Sequence, residues 1–171
     1  MEYIFLSGVH GVGKSTLLER ISKDKNITIE SISNLIRQAG NEIKESNKLT
    51  KNIPNNQNLW KQELNKKILL DDKKIILDGH FCLLNSKGEV VVLPDNTFEG
   101  TKMSKIIFKK EKNEIIKQRI ENRDNIIWEL ETIKLLQSLE EKRAIFFSRK
   151  FDIPLFIFDN NELYKDLLEF I

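Results

Sequence analysis

The feature that most constrains this chain lies at its start. Residues 3–7, Tyr-Ile-Phe-Leu-Ser, form a β-branched and aromatic run that ends at Gly8. Gly8-Val9-His10-Gly11-Val12-Gly13-Lys14-Ser15 follows, and it holds three of the chain's seven glycines. Residues 14–22, KSTLLERIS, then read as a helix that starts directly after the glycines. A buried strand, a tight glycine turn and a helix in immediate succession belong to a layered α/β chain, because the helix must cover a sheet that the strand enters.

The rest of the sequence fits that reading. Residues 26–29, 73–78, 104–109 and 153–158 are predicted strands. Residues 31–45 are a predicted helix with Ser31 as N-cap and inward positions at 32, 35, 36, 39 and 43. Residues 46–58 read as a polar loop, 58–71 as a helix with Leu59, Trp60, Leu64, Ile68 and Leu69 inward, and 111–122 and 126–147 as two further helices. Asn161 is the expected cap of a C-terminal helix. FCLLN and EVVVL flank Ser86-Lys87-Gly88, a hairpin signature. The expected architecture is α/β, a five-stranded mainly parallel sheet flanked by helices in one domain over 1–171. Within it, 30–72 forms a small helical subdomain, because one crossover helix would suffice to return the chain. Residues 81–93 form a hairpin insertion.

The glycine segment matches GxxxxGK[ST], the Walker A pattern of a phosphate-binding loop. Glycines let successive backbone N–H groups point inward at an anion, and the helix adds the positive end of its dipole. The expected triphosphate-binding residues are Gly8, His10, Gly11, Val12, Gly13, Lys14, Ser15 and Thr16. In this pattern Lys14 reaches the β- and γ-phosphates and the Ser15 hydroxyl ligates Mg²⁺. Asp78, closing the strand KKIILD, is the expected second Mg²⁺ ligand, with a turn aspartate before Gly79 as the alternative. His10 and His80 fall at the same sheet edge, where α/β proteins bind ligands. His80 is read either as a substrate or proton-transfer group or as a structural histidine.

Composition narrows the partners. Lys plus Arg total 28 against 26 acids, a net charge of +2, which argues against a DNA packer or a polybasic membrane binder. The single cysteine, Cys82, excludes an intramolecular disulfide and a cysteine-rich zinc site. No apolar run approaches the ~20 residues of a transmembrane helix, so a soluble cytoplasmic protein is expected. Only six residues are arginine: Arg20, Arg37, Arg119, Arg123, Arg143 and Arg149. Arg20 and Arg149 are read as surface residues. Phe98, Phe146, Phe147 and Phe151 are candidates for core or interface, and the oligomeric state stays open. An Asn-Lys-x-Asp guanine reader is absent. Large motor or AAA-type ATPases need more chain and paired acids after the third strand, which leaves the small kinases.

Within that group, Ile32-Ser33-Asn34-Leu35-Ile36-Arg37-Gln38-Ala39 resembles the start of the monophosphate-binding helix of nucleoside monophosphate kinases. Ile75-Ile76-Leu77-Asp78-Gly79 resembles their third strand and turn, and Arg119-Ile120-Glu121-Asn122-Arg123-Asp124 resembles their arginine-bearing lid. The Asp78-Gly79-His80 turn with the Lys-Gly hairpin is closest to archaeal-type adenylate kinases. Where the family next places Pro-Arg, this chain has His80-Phe81-Cys82. The resemblance implies a P-loop NTPase fold, a short lid over 119–128, and ATP with Mg²⁺ as cofactors. It makes Lys14, Arg119, Arg123 and Arg143 the catalytic cations, and it places Arg37, Asp78 and His80 at the acceptor.

Three functions are carried forward. The first is phosphoryl transfer from ATP to a nucleoside monophosphate, most readily AMP, which needs no general base because the acceptor oxygen is already ionised. The second is transfer to a hydroxyl of a small metabolite or, less favoured, of a polynucleotide end. That chemistry wants a base, and Glu30 and His80 are the candidates. The third is a nucleotide-binding regulatory ATPase subunit, for which the hairpin would offer an exposed strand.

Overall fold

The computed structural model describes residues 2–39, 53–70, 73–85, 87–124 and 127–171. Five strands, β1 (Tyr3–Ser7), β2 (Ile27–Ser31), β3 (Lys74–Asp78), β6 (Met103–Lys109) and β7 (Leu155–Phe158), pair in the order β2-β3-β1-β6-β7. Every pairing is parallel. The helices are α1 (Lys14–Asp24), α2 (Ile32–Gln38), α3 (Ile53–Leu70), α4 (Asn113–Asp124), α5 (Leu130–Phe151) and α6 (Tyr164–Phe170). The expected five-stranded α/β sheet is therefore observed.

The strands are apolar on both faces, as a covered parallel sheet requires. Tyr3, Phe5, Ile75, Leu77, Ile106 and Phe108 point to one side, into a core with Leu35, Trp60, Leu64, Ile116, Ile120, Ile133 and Phe147. The alternate residues Ile4, Leu6, Ile76 and Ile107 face the other side, against Leu17, Leu18 and Ile21 of α1 and Leu167 of α6. Phe98 and Phe147 are fully buried and pack edge to face at 5.1 Å, whereas Phe146 is partly exposed.

Between β3 and β6 the chain makes the expected hairpin, β4 (Cys82–Leu84) antiparallel to β5 (Val90–Val92). Asn85 Oδ1 accepts from the N–H groups of Lys87 and Glu89 and shapes its turn.

Several boundaries differ from expectation; α5, for example, spans Leu130–Phe151 rather than the expected 126–147. Helix α3 starts at Ile53 rather than after residue 58; Pro54 falls in its first turn, where a missing N–H breaks no helical bond. Ser31 both ends β2 and caps α2, its Oγ accepting from Asn34 N at 3.1 Å. The cap of the C-terminal segment is Asn160, not Asn161: its side chain accepts from Glu162 N and opens a 3₁₀ turn ahead of α6. The expected continuation of the second helix through residues 40–45, with Ile43, lies outside the described residues, as do positions 125 and 126 of the expected lid.

Candidate functional site

Strand β1 delivers the glycine loop to the carboxyl edge of the sheet. Gly8 has φ 147°, and a Cβ there would stand 2.7 Å from the Lys109 carbonyl oxygen. Gly13, with φ 95°, is the N-cap of α1 in the left-handed conformation, so the helix begins on the residue that least resists this geometry. Lys14 follows, and only 7% of its surface is exposed. Its ammonium donates to the Gly8 carbonyl and lies 3.5 Å from Asp78 Oδ1. It also lies 3.3 and 3.4 Å from the two ring nitrogens of His80.

The sheet register explains this meeting. Leu6 pairs with Asp78 across β1 and β3, and the Gly79 N–H donates to the Leu6 carbonyl at 3.0 Å. A Cβ on Gly79 would press on Phe5 and Ile32 at 2.7 Å, so the turn that presents Asp78 and His80 lies flat on the core. Burial pushes the Asp78 carboxyl above its ordinary pKa, with the Lys14 charge acting the other way. His10 packs on His80 at 4.3 Å between ring centroids and faces Trp128 at 6.3 Å.

These groups open on one cavity of about 820 Å³. Of the loop residues expected to bind triphosphate, His10, Gly11, Val12, Gly13, Lys14, Ser15 and Thr16 line it and Gly8 does not; Asp78 and His80 line it too. Arg119 and Arg123 of α4 also line it. Arg119 Nη1 donates to the Val12 carbonyl at 3.2 Å, and Nη2 lies 3.4 Å from Glu111. Arg123 grips Asp124 with two bonds of 2.9 and 2.8 Å, and that pairing raises its already high pKa.

Besides Gly8, two expected site residues do not line the cavity. Arg37 stands on the exposed side of α2. Arg143 donates to the Leu93 carbonyl at 3.0 Å and pairs with Asp95 at 2.7 Å. Its guanidinium lies over the Phe146 and Phe147 rings at 4.6 and 4.7 Å. Glu30, the other candidate base, also lies off the cavity; its carboxylate binds Lys67 and Asn34.

Sequence reasoning missed several residues. Arg20, read as a surface residue, lines the cavity while stacking on Tyr164 at 3.4 Å. Lys109 ends β6 beside the loop, its pKa lowered by burial. Asp159 and Asn160 follow β7 at the same edge; the strand-end rule would have found them, because they are the first two residues after the strand. Glu140 of α5 is fully buried. It accepts from the N–H groups of Gly8 (3.3 Å), Phe81 (2.8 Å) and Cys82 (2.7 Å). Burial pushes its pKa up to about 7 against the opposing effect of these donors and Lys14.

The donor set suits a nucleotide with Mg²⁺. Asp78 Oδ1 is buried, with the Lys14 ammonium 3.5 Å away and no closer hydrogen-bond donor, and it is an oxygen of the hard type that Mg²⁺ takes. The Ser15 hydroxyl lines the same cavity and is exposed to it.

A family model described as an AAA domain matches residues 7–134. The chain belongs to this family, and its fold is that of P-loop kinases. Among solved structures, the fold is similar to a gluconokinase from Sinorhizobium meliloti 1021, at 12% identity and TM-score 0.51, covering 98% of this chain and 87% of that one. It is similar to a shikimate kinase from Bacteroides thetaiotaomicron, at 17% identity and TM-score 0.55, covering 98% and 94%. A third likeness is an uncharacterized protein from Eubacterium ventriosum, at 13% identity and TM-score 0.54, covering 100% and 98%. No curated protein matches the chain.

Proposed function

We propose that this protein transfers the γ-phosphoryl group of ATP to a hydroxyl of a small metabolite. The observation that carries the reading is His80 at 3.3 Å from the Lys14 ammonium. A hydroxyl acceptor must lose a proton as it attacks and so needs a base at the phosphoryl grip, whereas a monophosphate acceptor does not. Glu30 is committed to Lys67 and Asn34, which leaves His80 in that role. Two further supports are the position of Arg37 outside the cavity and the solved likenesses, two of which are named for kinases of gluconate and shikimate.

In this reading the backbone N–H groups of the loop hold the polyphosphate and Lys14 draws its β- and γ-oxygens. Arg119 and Arg123 add charge from α4. His80 takes the acceptor proton at a ring nitrogen. Ser15 and Asp78 would hold Mg²⁺, which supplies charge neutralisation on the polyphosphate when bound. Catalysis is then positioning and electrostatics. The described residues contain no helix long and apolar enough to cross a membrane.

The test is a panel of sugar, polyol, hydroxy-acid and nucleoside monophosphate acceptors with labelled ATP. Label is expected on a hydroxyl compound. Lys14→Ala should abolish transfer, His80→Asn should lower kcat about 100-fold, and Arg37→Ala should change little. Label on AMP, lost in Arg37→Ala, would establish the monophosphate reading instead. Slow ATP hydrolysis indifferent to every acceptor would establish the regulatory one.

A further inference from the structure

The mechanism above leaves Glu140 unused, although its carboxylate is the most completely buried acid near the site. Three backbone N–H groups donate to it, and they belong to two different segments. Gly8 opens the phosphate loop, and its carbonyl is the one that accepts from Lys14. Phe81 and Cys82 directly follow His80, which touches Lys14 from the other side. One carboxylate on α5 therefore sets the spacing between two walls of the pocket that holds the Lys14 ammonium. A carboxyl group suits this task because its two oxygens can accept several N–H bonds at once.

We infer that Glu140 is a positioning residue that fixes the Lys14 ammonium at its phosphate-binding station by clamping the start of the loop to the segment after His80. The inference rests on reading the cavity as an ATP site. Replacing Glu140 with glutamine keeps the shape but turns an N–H₂ group toward N–H donors, which relaxes the clamp while leaving Lys14 in the chain.

A double-mutant cycle on ATP affinity, measured by calorimetry with Mg²⁺ on the full chain, tests it. Glu140→Gln should weaken ATP binding about 10-fold in the wild-type background and less than about 2-fold in the Lys14→Ala background, because coupled residues are non-additive. A purely structural role would lower affinity by the same factor in both. Equal losses in the two backgrounds, or no loss in the first, overturn the inference while leaving the kinase reading intact. Wild-type protein that does not bind ATP overturns both. Should Glu140→Gln not fold, Glu140→Asp enters the same cycle with the same expected pattern; it keeps the charge but falls one methylene short of the three amides.

Discussion

Helices α4 and α5 are consecutive, pack together and carry two arginines each, yet they serve the site in opposite ways. Helix α4 leaves the end of β6 at the carboxyl edge of the sheet, and Ile120 would lie 2.7 Å from a Cβ on Gly11. Its outer face therefore hangs over the glycine loop, and Arg119 and Arg123 enter the cavity. Helix α5 instead runs through the core on Ile133, Leu136, Ala144 and Phe147. Its Arg143 points away to Leu93 and Asp95, and an acid, Glu140, reaches the loop in its place. Charge on a helix beside a site says little by itself; the face on which the charge lies decides what it does.

The contrast breaks most sharply at Glu140. Glu140→Ala leaves the buried N–H groups of Gly8, Phe81 and Cys82 without their acceptor, and each unsatisfied group costs about 1–3 kcal/mol. A loss of about 3–5 kcal/mol is expected from urea unfolding, after allowance for water entering the space. A loss under about 1 kcal/mol would mean that the three bonds contribute little.

The same residue gives the contrast a pH signature. Its folded pKa is raised to about 7 from 4.5, so the folded protein holds a proton that the unfolded chain has released. Its contribution to stability is fully present below about 4.5 and is lost as pH rises through about 7, with a span on the order of 3 kcal/mol. The difference in unfolding free energy between wild type and Glu140→Gln should therefore change between pH 5 and pH 8, to the disadvantage of wild type at the higher pH. A pH-independent difference would place the folded pKa near its ordinary value.

Much of this was legible in the sequence, for a physical reason. The strands of a doubly covered sheet are continuous apolar runs such as Ile75–Leu77, which stand out against a chain rich in lysine. The glycine loop is legible because its backbone geometry demands glycine and its chemistry demands Lys14. Asp78 and His80 followed from strand ends. Glu140 was hidden in the run Leu139-Glu140-Glu141-Lys142-Arg143, where it reads as one more solvated acid. Its signal was spacing: it falls in step with Ile133, Leu136, Gln137, Ala144 and Phe147, the inward stripe of the helix. Arg37 and Arg143 were placed by resemblance to a pattern, which fixes order along the chain but not the face of its helix on which each residue lies.

Arg119 provides the converse test on α4. Its guanidinium is about half exposed and its pair with Glu111 is long at 3.4 Å, so stability should move by less than about 1 kcal/mol on Arg119→Ala. On the proposed kinase reading, its contact with the Val12 carbonyl gives it the charge-neutralising role, and kcat with the acceptor identified by the screen should fall about 100-fold. If stability falls and kcat does not, α4 is a structural helix and its contrast with α5 disappears.

The smallest expected effect sharpens the other side. Arg143→Ala removes a bond to Leu93, the Asp95 pair and the stacking on Phe146 and Phe147. A charged hydrogen bond and a partly desolvated cation–π contact together are worth about 2 kcal/mol or more, which thermal unfolding would read as a lowered Tm. Arg143→Lys should recover only part of this, because an ammonium keeps the charge but loses the flat fork that both binds Leu93 and lies on two rings. Phosphoryl transfer below the lowered Tm should stay within about 3-fold of wild type, since no cavity wall moves. A larger fall in kcat at unchanged Tm would show that the 93–95 segment transmits its position to the site through Phe81 and Phe147, whose rings stack at 5.0 Å. Helix α5 would then feed the chemistry through its arginine as well as its glutamate.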